Sequence, residues 1–555
     1  MNRISAVIAF NCCVMFSMAF GAGQPASGTL PDLIISSEDN YWQPGTFTTA
    51  TDGAADVTVD ETSPKQAWEG FGGTFNEMGW DALSVVSDEI PRALKLLFDA
   101  NDGANFVYGR IPIGASDYAM SWYTLDETAG DYSMTNFSIA RDRQKLIPYI
   151  KAALEVKSDI HFWASPWNVP SWMTSGGNMK SDPQTQKAHA LYLARFVEEY
   201  KKEGITIEAV HPQNEPGYAQ VKWSQQVLID YFKTYMGPTF AERNLTAEVW
   251  CGTMSHPLDS NIALAVARDP ESMKYVKGFG LQWNHTGTVP ALAPKGRVWQ
   301  TEHRCGNYNF EAIYWDQSRY SASKPQNDHR YGEESWQLIR DWIVAGVNSY
   351  CAWNMVLDTY GKSLTNWPQN ALLVVDRTAK TLTATPAYYV FRHFSQYIAP
   401  GATRLETTGN YDALAFRNPD GRIITEVYNK ADTTQQMTVR VGAALYRFDL
   451  PAHGWATLSA NPATSISCSD HGRMQHDRGE ITVTDIGDGF RINVSPSESG
   501  RLELVTLSGR VLRSETFSQG SREMVFRKQI CGTGLYLVRA VYDGGSTSAL
   551  FVRTH

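Results

Sequence analysis

From about Pro64 to Ala399, short unbroken apolar runs alternate with stretches whose apolar residues recur every three or four positions. Unbroken short runs are the signature of strands buried on both faces. Three-and-four spacing is the signature of helices packed along one side. Strands are predicted on this basis at 68–75, 106–113, 161–165, 207–213, 248–252, 278–283, 298–302 and 349–354. Helices are predicted at 139–156, where Leu146, Ile147, Ile150 and Leu154 share a face, and at 185–203, with Leu191, Ala194, Phe196 and Val197. Two more follow at 224–236, with Val227, Leu228, Tyr231 and Phe232, and at 336–347, with Leu338, Ile339, Trp342 and Ile343. Eight strand–helix alternations over roughly 330 residues predict a (β/α)8 barrel. A doubly wound open sheet is the alternative, but no Gly-rich dinucleotide turn follows the first strand.

Past Pro400-Gly401 the period shortens. Brief runs at 413–416, 423–428, 437–441, 446–449 and 455–459, punctuated by turn residues, predict an all-β side domain over 400–460. The stretch 34–59 has the same texture, so residues 30–63 are assigned to that domain as its N-terminal strands. Asn461-Pro462-Ala463-Thr464-Ser465 reads as a linker. Beyond it, runs at 490–494, 502–506, 535–541 and 548–552 predict a C-terminal β-sandwich domain over 466–555. The fold class is therefore α/β: a (β/α)8 TIM barrel at 64–399 with an all-β side domain and a C-terminal β-sandwich.

Composition narrows the function classes. Hydrophobic residues at 43% and charged residues at 19% exclude wholesale disorder. A net charge of −9 offers no basic footprint, so no nucleic-acid partner is expected. The 17 Trp and 26 Tyr suit stacking on sugar rings, or equally a large core with aromatic plugs. Residues 1–21 carry one positive charge, a mostly apolar run and small residues at Ala19 and Gly21, the pattern of a secretory signal peptide. The expected location is secreted or at the cell surface. Of the Cys outside that segment, Cys468 and Cys531 are the pair a bridge would join in an oxidising compartment. Cys251, Cys305 and Cys351 are expected to be small buried apolar residues.

Active residues of such barrels sit at the C-terminal ends of strands. Strand four runs out into His211-Pro212-Gln213-Asn214-Glu215-Pro216, and strand seven into Trp299-Gln300-Thr301-Glu302-His303. These strands lie on opposite sides of the mouth, so Glu215 and Glu302 can face one substrate. Two facing carboxyls are what glycosidic cleavage needs: one protonates the leaving oxygen, the other supports the charge building at the anomeric carbon. Asn214 adds a neutral donor for a sugar hydroxyl. No spacing around His303 or Cys305 fits a metal site, and no metal or cofactor is expected.

These residues resemble the acid/base and nucleophile signatures of retaining glycosidases, and further segments resemble glycoside hydrolase family 30. They are Glu69-Gly70-Phe71-Gly72-Gly73-Thr74-Phe75, Gly109-Arg110-Ile111-Pro112-Ile113-Gly114, Ala164-Ser165-Pro166-Trp167-Asn168-Val169-Pro170-Ser171-Trp172 and Ala352-Trp353-Asn354-Met355. The resemblance implies Glu215 as acid/base, Glu302 as nucleophile and Arg110 as the arginine that keeps the nucleophile ionised. It implies Asp117 as the acceptor for outer hydroxyls of a glucosyl unit, Trp167 and Trp353 as subsite walls, Trp283 as a further substrate-binding residue, and Asn354 as a rim residue. Relatives place a Tyr after the Trp of strand six to touch the nucleophile. Here Asn284 stands in that place, with His285 as a substitute. The segment Leu504-Val505-Thr506-Leu507-Ser508-Gly509-Arg510-Val511, with Gly534-Leu535-Tyr536-Leu537-Val538-Arg539, resembles type IX secretion sorting domains and implies secretion machinery as a partner. A carbohydrate-binding sandwich is the competing reading of that domain. The expected function is a secreted retaining β-glycosidase acting on β-linked hexosides of an oligo- or polysaccharide. An endo-xylanase of the same family and a non-catalytic carbohydrate-binding protein are the alternatives.

Overall fold

The computed structural model describes residues 30–461, apart from 218, 219, 256, 284, 304, 306–327 and 368, together with the strands between 474 and 553. Eight parallel strands close into a barrel: β1 (Gly70–Thr74), β2 (Tyr108–Pro112), β3 (His161–Ser165), β4 (Ile207–Val210), β5 (Glu248–Met254), β6 (Val276–Leu281), β7 (Arg297–His303) and β8 (Ser349–Ala352). They stand in chain order around the ring, and β8 closes on β1 from Ser349↔Gly70 to Ala352↔Gly73. Every predicted barrel strand is present, with ends moved by a few residues. The lumen is filled rather than open. Trp163, Trp250 and Trp299 pack there with Tyr108, the rings of Trp250 and Trp299 being 3.9 Å apart. That layer needs a bare backbone opposite it: a Cβ on Gly278 would stand 2.5 Å from the Trp250 ring. It forms the floor beneath the mouth.

The helices follow the predicted periodicity where burial is apolar and depart from it where polar residues are buried. The helix predicted at 139–156 is Leu146–Val156, preceded by a short 3-10 turn at Asp142–Gln144. Asp142 is buried there and accepts from the Tyr123 and Tyr200 hydroxyls, both at 2.8 Å. Asp182 caps Pro183–Lys202 by accepting from the Thr185 amide at 2.9 Å. The last helix of the β7 crossover, His329–Ala345, begins seven residues before the predicted 336. Asp328 caps it, and its first turns bury Glu333, Glu334 and Ser335, so no apolar stripe announces them.

The side domain is one ten-stranded sheet. Leu33–Ser37, Asn40–Pro44, Thr48–Ala50 and Val57–Ala67 precede the barrel. Thr403–Gly409, Asp412–Arg417, Ile423–Tyr428, Gln435–Val441, Ala444–Leu450 and Trp455–Ala460 follow it. It packs on His329–Ala345 and on the helix Pro386–Tyr397, with His329 stacked on Trp455 at 4.9 Å and the Tyr428 hydroxyl donating to Glu333 at 2.6 Å. Between β8 and that last helix lies an unpredicted three-stranded sheet, Val356–Asp358, Leu373–Asp376 and Thr381–Ala384. The C-terminal segment forms two four-stranded antiparallel sheets. Residues 1–21, expected to be a signal peptide, the expected linker beyond Asn461, Cys468 and Cys531 lie outside the described residues. Cys251, Cys305 and Cys351 are buried and free, as their surroundings in the sequence implied.

Candidate active site

The ends of β4 and β7 both leave regular geometry where their glutamates stand. β4 stops at Val210, and the chain then hangs between its neighbours: the Asn214 amide donates to the Pro166 carbonyl at 2.7 Å and the Glu215 amide to the Thr253 carbonyl at 2.9 Å. Glu215 takes a left-handed conformation, φ 50°. Such a conformation in a non-glycine residue costs of order 1–3 kcal/mol and persists only where its surroundings enforce it. On β7 the register with β8 slips by one residue between Gln300 and His303, a bulge that spans Thr301 and Glu302. A bulge at this place re-aims the side chain it carries.

Arg110, at the middle of β2, organises what those two ends present. It is fully buried and donates from Nη1 to Glu302 Oε2 at 2.6 Å. Its Nη2 donates to Asn214 Oδ1 at 2.6 Å, and Nε and Nη2 reach Ser165 Oγ at 3.2 and 3.1 Å. Its guanidinium carbon lies 4.2 Å from the centre of the Trp167 ring, which in turn stacks on Trp353 at 5.1 Å. Trp167 and Trp353 are each about 1% exposed and pack in one buried cluster with Tyr118, Leu357, Ala371 and Val374. Thr253 Oγ1 gives Asn214 Oδ1 a second hydrogen bond at 2.8 Å.

A second chain of contacts connects the two acids. Gln282, fully buried just past β6, donates to Glu215 Oε1 at 2.9 Å and accepts from Thr301 Oγ1 at 3.2 Å. Trp283 is held at φ 55°. Its ring stacks on Trp367 at 5.7 Å. Asn284 lies outside the described residues, and His285 is engaged by Ser260 Oγ at 2.8 Å. Asn354 is corrected from the rim to the interior: it is 1% exposed, with its amide between Asn76 at 2.9 Å and Gln369 at 3.2 Å. Asp117, in the loop after β2, accepts from Gln220 Nε2 at 3.0 Å.

The electrostatics set the two glutamates apart. Burial pushes the Glu215 carboxyl up to about 8, with the nearby charge of Glu302 adding to the rise and a Ser255 hydrogen bond opposing it. Burial also pushes Glu302 up, to about 7, while the charge and hydrogen bond of Arg110 pull it down. The lowering by Arg110 is in the expected direction, but burial outweighs it. Asp117 is raised by burial to about 6, and its charge raises both glutamates. Each of the two glutamates feels the charge of Asp117, and Glu215 that of Glu302, so the acids titrate as a coupled set. Among the three acids, Glu302 is the one that the described residues show bonded to the Arg110 cation. The arrangement can therefore hold one carboxyl protonated beside one ionised near neutral pH. Gln282, Thr253 and Ser165 are the contributors that the sequence did not announce.

The family model described as the glycosyl hydrolase family 30 TIM-barrel domain matches residues 68–398, and that of the family 30 beta sandwich domain matches 401–458. The lysosomal acid glucosylceramidase of Mus musculus is 26% identical over 414 residues, covering 69% of this chain and 79% of its own. An endo-1,6-beta-D-glucanase of Aspergillus fumigatus is 24% identical over 427 residues, covering 69% and 83%. Among solved structures, an endo-beta1,6-glucanase superposes with a TM-score of 0.68 at 22% identity, covering 77% of this chain and 99% of that one.

Proposed function

The chain belongs to glycosyl hydrolase family 30, a retaining family of glycosyl hydrolases, and on that premise we propose that it is an exported enzyme that cleaves β-linked hexosides, of glucosyl or β-1,6-glucan and galactan type. Glu302 attacks the anomeric carbon while Glu215 protonates the departing oxygen. A covalent glycosyl-enzyme forms, and Glu215, now a base, activates the water that releases the sugar with its configuration retained. Supporting this most is the unequal treatment of the two acids: Arg110 is bonded to Glu302 at 2.6 Å, whereas Glu215 receives the neutral Gln282 amide at 2.9 Å. A nucleophile must be ionised and a general acid must hold its proton, and the cation favours that division. Asn214, oriented by Arg110 and Thr253, is placed to bond a ring hydroxyl as charge develops.

Asp117 supports a hexose over a pentose, since a pentose lacks the outer arm its carboxylate would hold. Residues 1–21 direct export, and residues 466–555 carry the sorting signal to the secretion machinery. Deleting 466–555 abolishes surface delivery while leaving hydrolysis intact if they sort, and abolishes polymer retention if they bind carbohydrate. The catalytic assignment is tested by Glu302→Gln. Turnover of an aryl β-glucoside is lost while sugar binding, read by calorimetry, persists. Retention of more than a small fraction of turnover refutes the assignment.

A further inference from the structure

Beside the crevice lies a cleft of about 710 Å3, walled by the loops after β2, β3 and β4 and by the loop after β8. That volume lies within the range of small-molecule sites, roughly 300–1,000 Å3. Its floor is apolar, with Val169 and Val221 each 3% exposed. On one side stands Trp122, 41% exposed, a large indole left open to water. Asn168 and Gln220 also line it. Among the described residues the Asn168 amide and the Gln220 carbonyl oxygen have no hydrogen-bond partner. An exposed aromatic face flanked by the Asn168 amide and the Gln220 carbonyl oxygen over an apolar floor is the chemistry that holds a sugar ring.

The cleft is preformed. Glu127, on the loop after β2, accepts from the Ser171 amide at 3.1 Å and its hydroxyl at 2.6 Å, tying that loop to the one after β3. Thr124 Oγ1 braces the same carboxylate at 2.6 Å. The cleft is also joined to the reaction centre through one residue: Gln220 lines it and at the same time donates to Asp117 at 3.0 Å. The amide of Leu364, next to the lining residue Thr365, donates to the Asp117 carbonyl at 2.8 Å. Whatever occupies the cleft therefore reaches the reacting sugar from the Asp117 side.

We propose that this cleft is a second hexosyl-binding subsite on the glycone side, with Trp122 as its stacking platform and Asn168 and Gln220 as its hydroxyl partners. The inference rests on the catalytic reading above and on Asp117 facing the outer hydroxyls of the reacting unit. A chain continued through one of those hydroxyls, such as the primary one of a β-1,6-linked glucan, threads past Gln220 into the cleft. The enzyme then cleaves within chains, and the shortest glycone it releases efficiently is a disaccharide.

The test compares 4-nitrophenyl β-glucoside with 4-nitrophenyl β-gentiobioside, one and two β-1,6-linked units ahead of the same leaving group. The kcat/KM ratio favours the two-unit substrate by about tenfold or more, the weight of one stacking contact with its hydrogen bonds. Trp122→Ala and Asn168→Ala bring that ratio toward one, while Trp122→Phe keeps most of it and guards against a folding defect in the smaller variant. A ratio near one in the native enzyme, or an unchanged ratio in Trp122→Ala, overturns the subsite. Absence of hydrolysis of either substrate overturns the catalytic reading instead, and the subsite with it.

Discussion

Replacing Arg110 by Met removes the cation bonded to Glu302 while keeping much of the side chain's bulk. The pair is buried, with side-chain exposures of 0% and 5%, and the same guanidinium holds Asn214 at 2.6 Å and Ser165 at 3.1 Å. Breaking a buried pair by removing one partner costs about 3–5 kcal/mol. If about 3 kcal/mol of that falls on the ionised form of Glu302, the carboxyl rises by roughly two pH units. The sign is fixed by the chemistry: attack needs the ionised carboxylate, and loss of its counter-ion favours the protonated form. The native acidic limb, near 7, then moves to roughly 9. At pH 7 the ionised fraction falls from about one half to about one hundredth, so kcat/KM drops roughly 50-fold from ionisation alone. The assay is kcat/KM against pH from 5 to 10 with 2,4-dinitrophenyl β-glucoside, whose leaving group needs no proton, beside a thermal melt to verify folding. Arg110→Lys, which keeps charge but not the fork, falls between the two. An acidic limb that stays within half a pH unit of the native one in a folded Arg110→Met protein refutes the reasoning.

Glu215→Ala is expected to lower kcat/KM for phenyl β-glucoside by about 10²–10⁴ while sparing attack on the dinitrophenyl substrate. Added azide then gives the β-glycosyl azide, and equal losses on both leaving groups would count against Glu215 as the acid. Asp117→Ala raises KM for aryl β-glucosides more than for aryl β-xylosides; an equal rise for both removes Asp117 from hexose selection. In the side domain, Glu426 is fully buried and raised by burial to about 8, with the Thr457 hydroxyl bonded to it and His393 bonded in turn to Thr457 at 2.7 Å. A raised carboxyl contributes stability that is present in full below its unfolded value and lost as pH rises through 8, of order several kcal/mol here. Guanidinium unfolding at pH 5 and at pH 8.5 should therefore show a decline that Glu426→Gln flattens, and an identical decline in the variant would exclude Glu426 as its source.

What could be read in the chain was what burial dictates residue by residue. The eight barrel strands are short, apolar and separated by amphipathic helices, so composition alone marks them, and the acids that follow two of them stand out against that background. Thr403–Gly409 was missed because Thr, Arg and Glu fill an edge-like run with little apolar contrast. The start of His329–Ala345 was missed because Glu333 and Glu334 are buried in pairs and networks, not exposed as their charge implies. Local pattern also cannot announce a backbone that turns left-handed. Trp283 stands at a positive φ, and the one-residue bulge at Thr301–Glu302 is a property of pairing across β8. Asn354 looked like a rim residue by position, yet the extra sheet at 356–384 covers that strand end, and its amide is taken up by Asn76 and Gln369. The cleft beside Trp122 needed four loops to be placed at once, which no linear pattern specifies.

The central claim is that Glu302 becomes covalently bonded to the sugar within a crevice it shares with Glu215. A 2-deoxy-2-fluoro-β-glucosyl fluoride of matching linkage slows release of that intermediate more than its formation, so the labelled enzyme accumulates. Peptide mapping by mass spectrometry is expected to place a single fluoroglucosyl group on Glu302, with activity falling in step with labelling and returning on transglycosylation. A label on Glu215 or any other residue, or inactivation without a covalent adduct, contradicts the account.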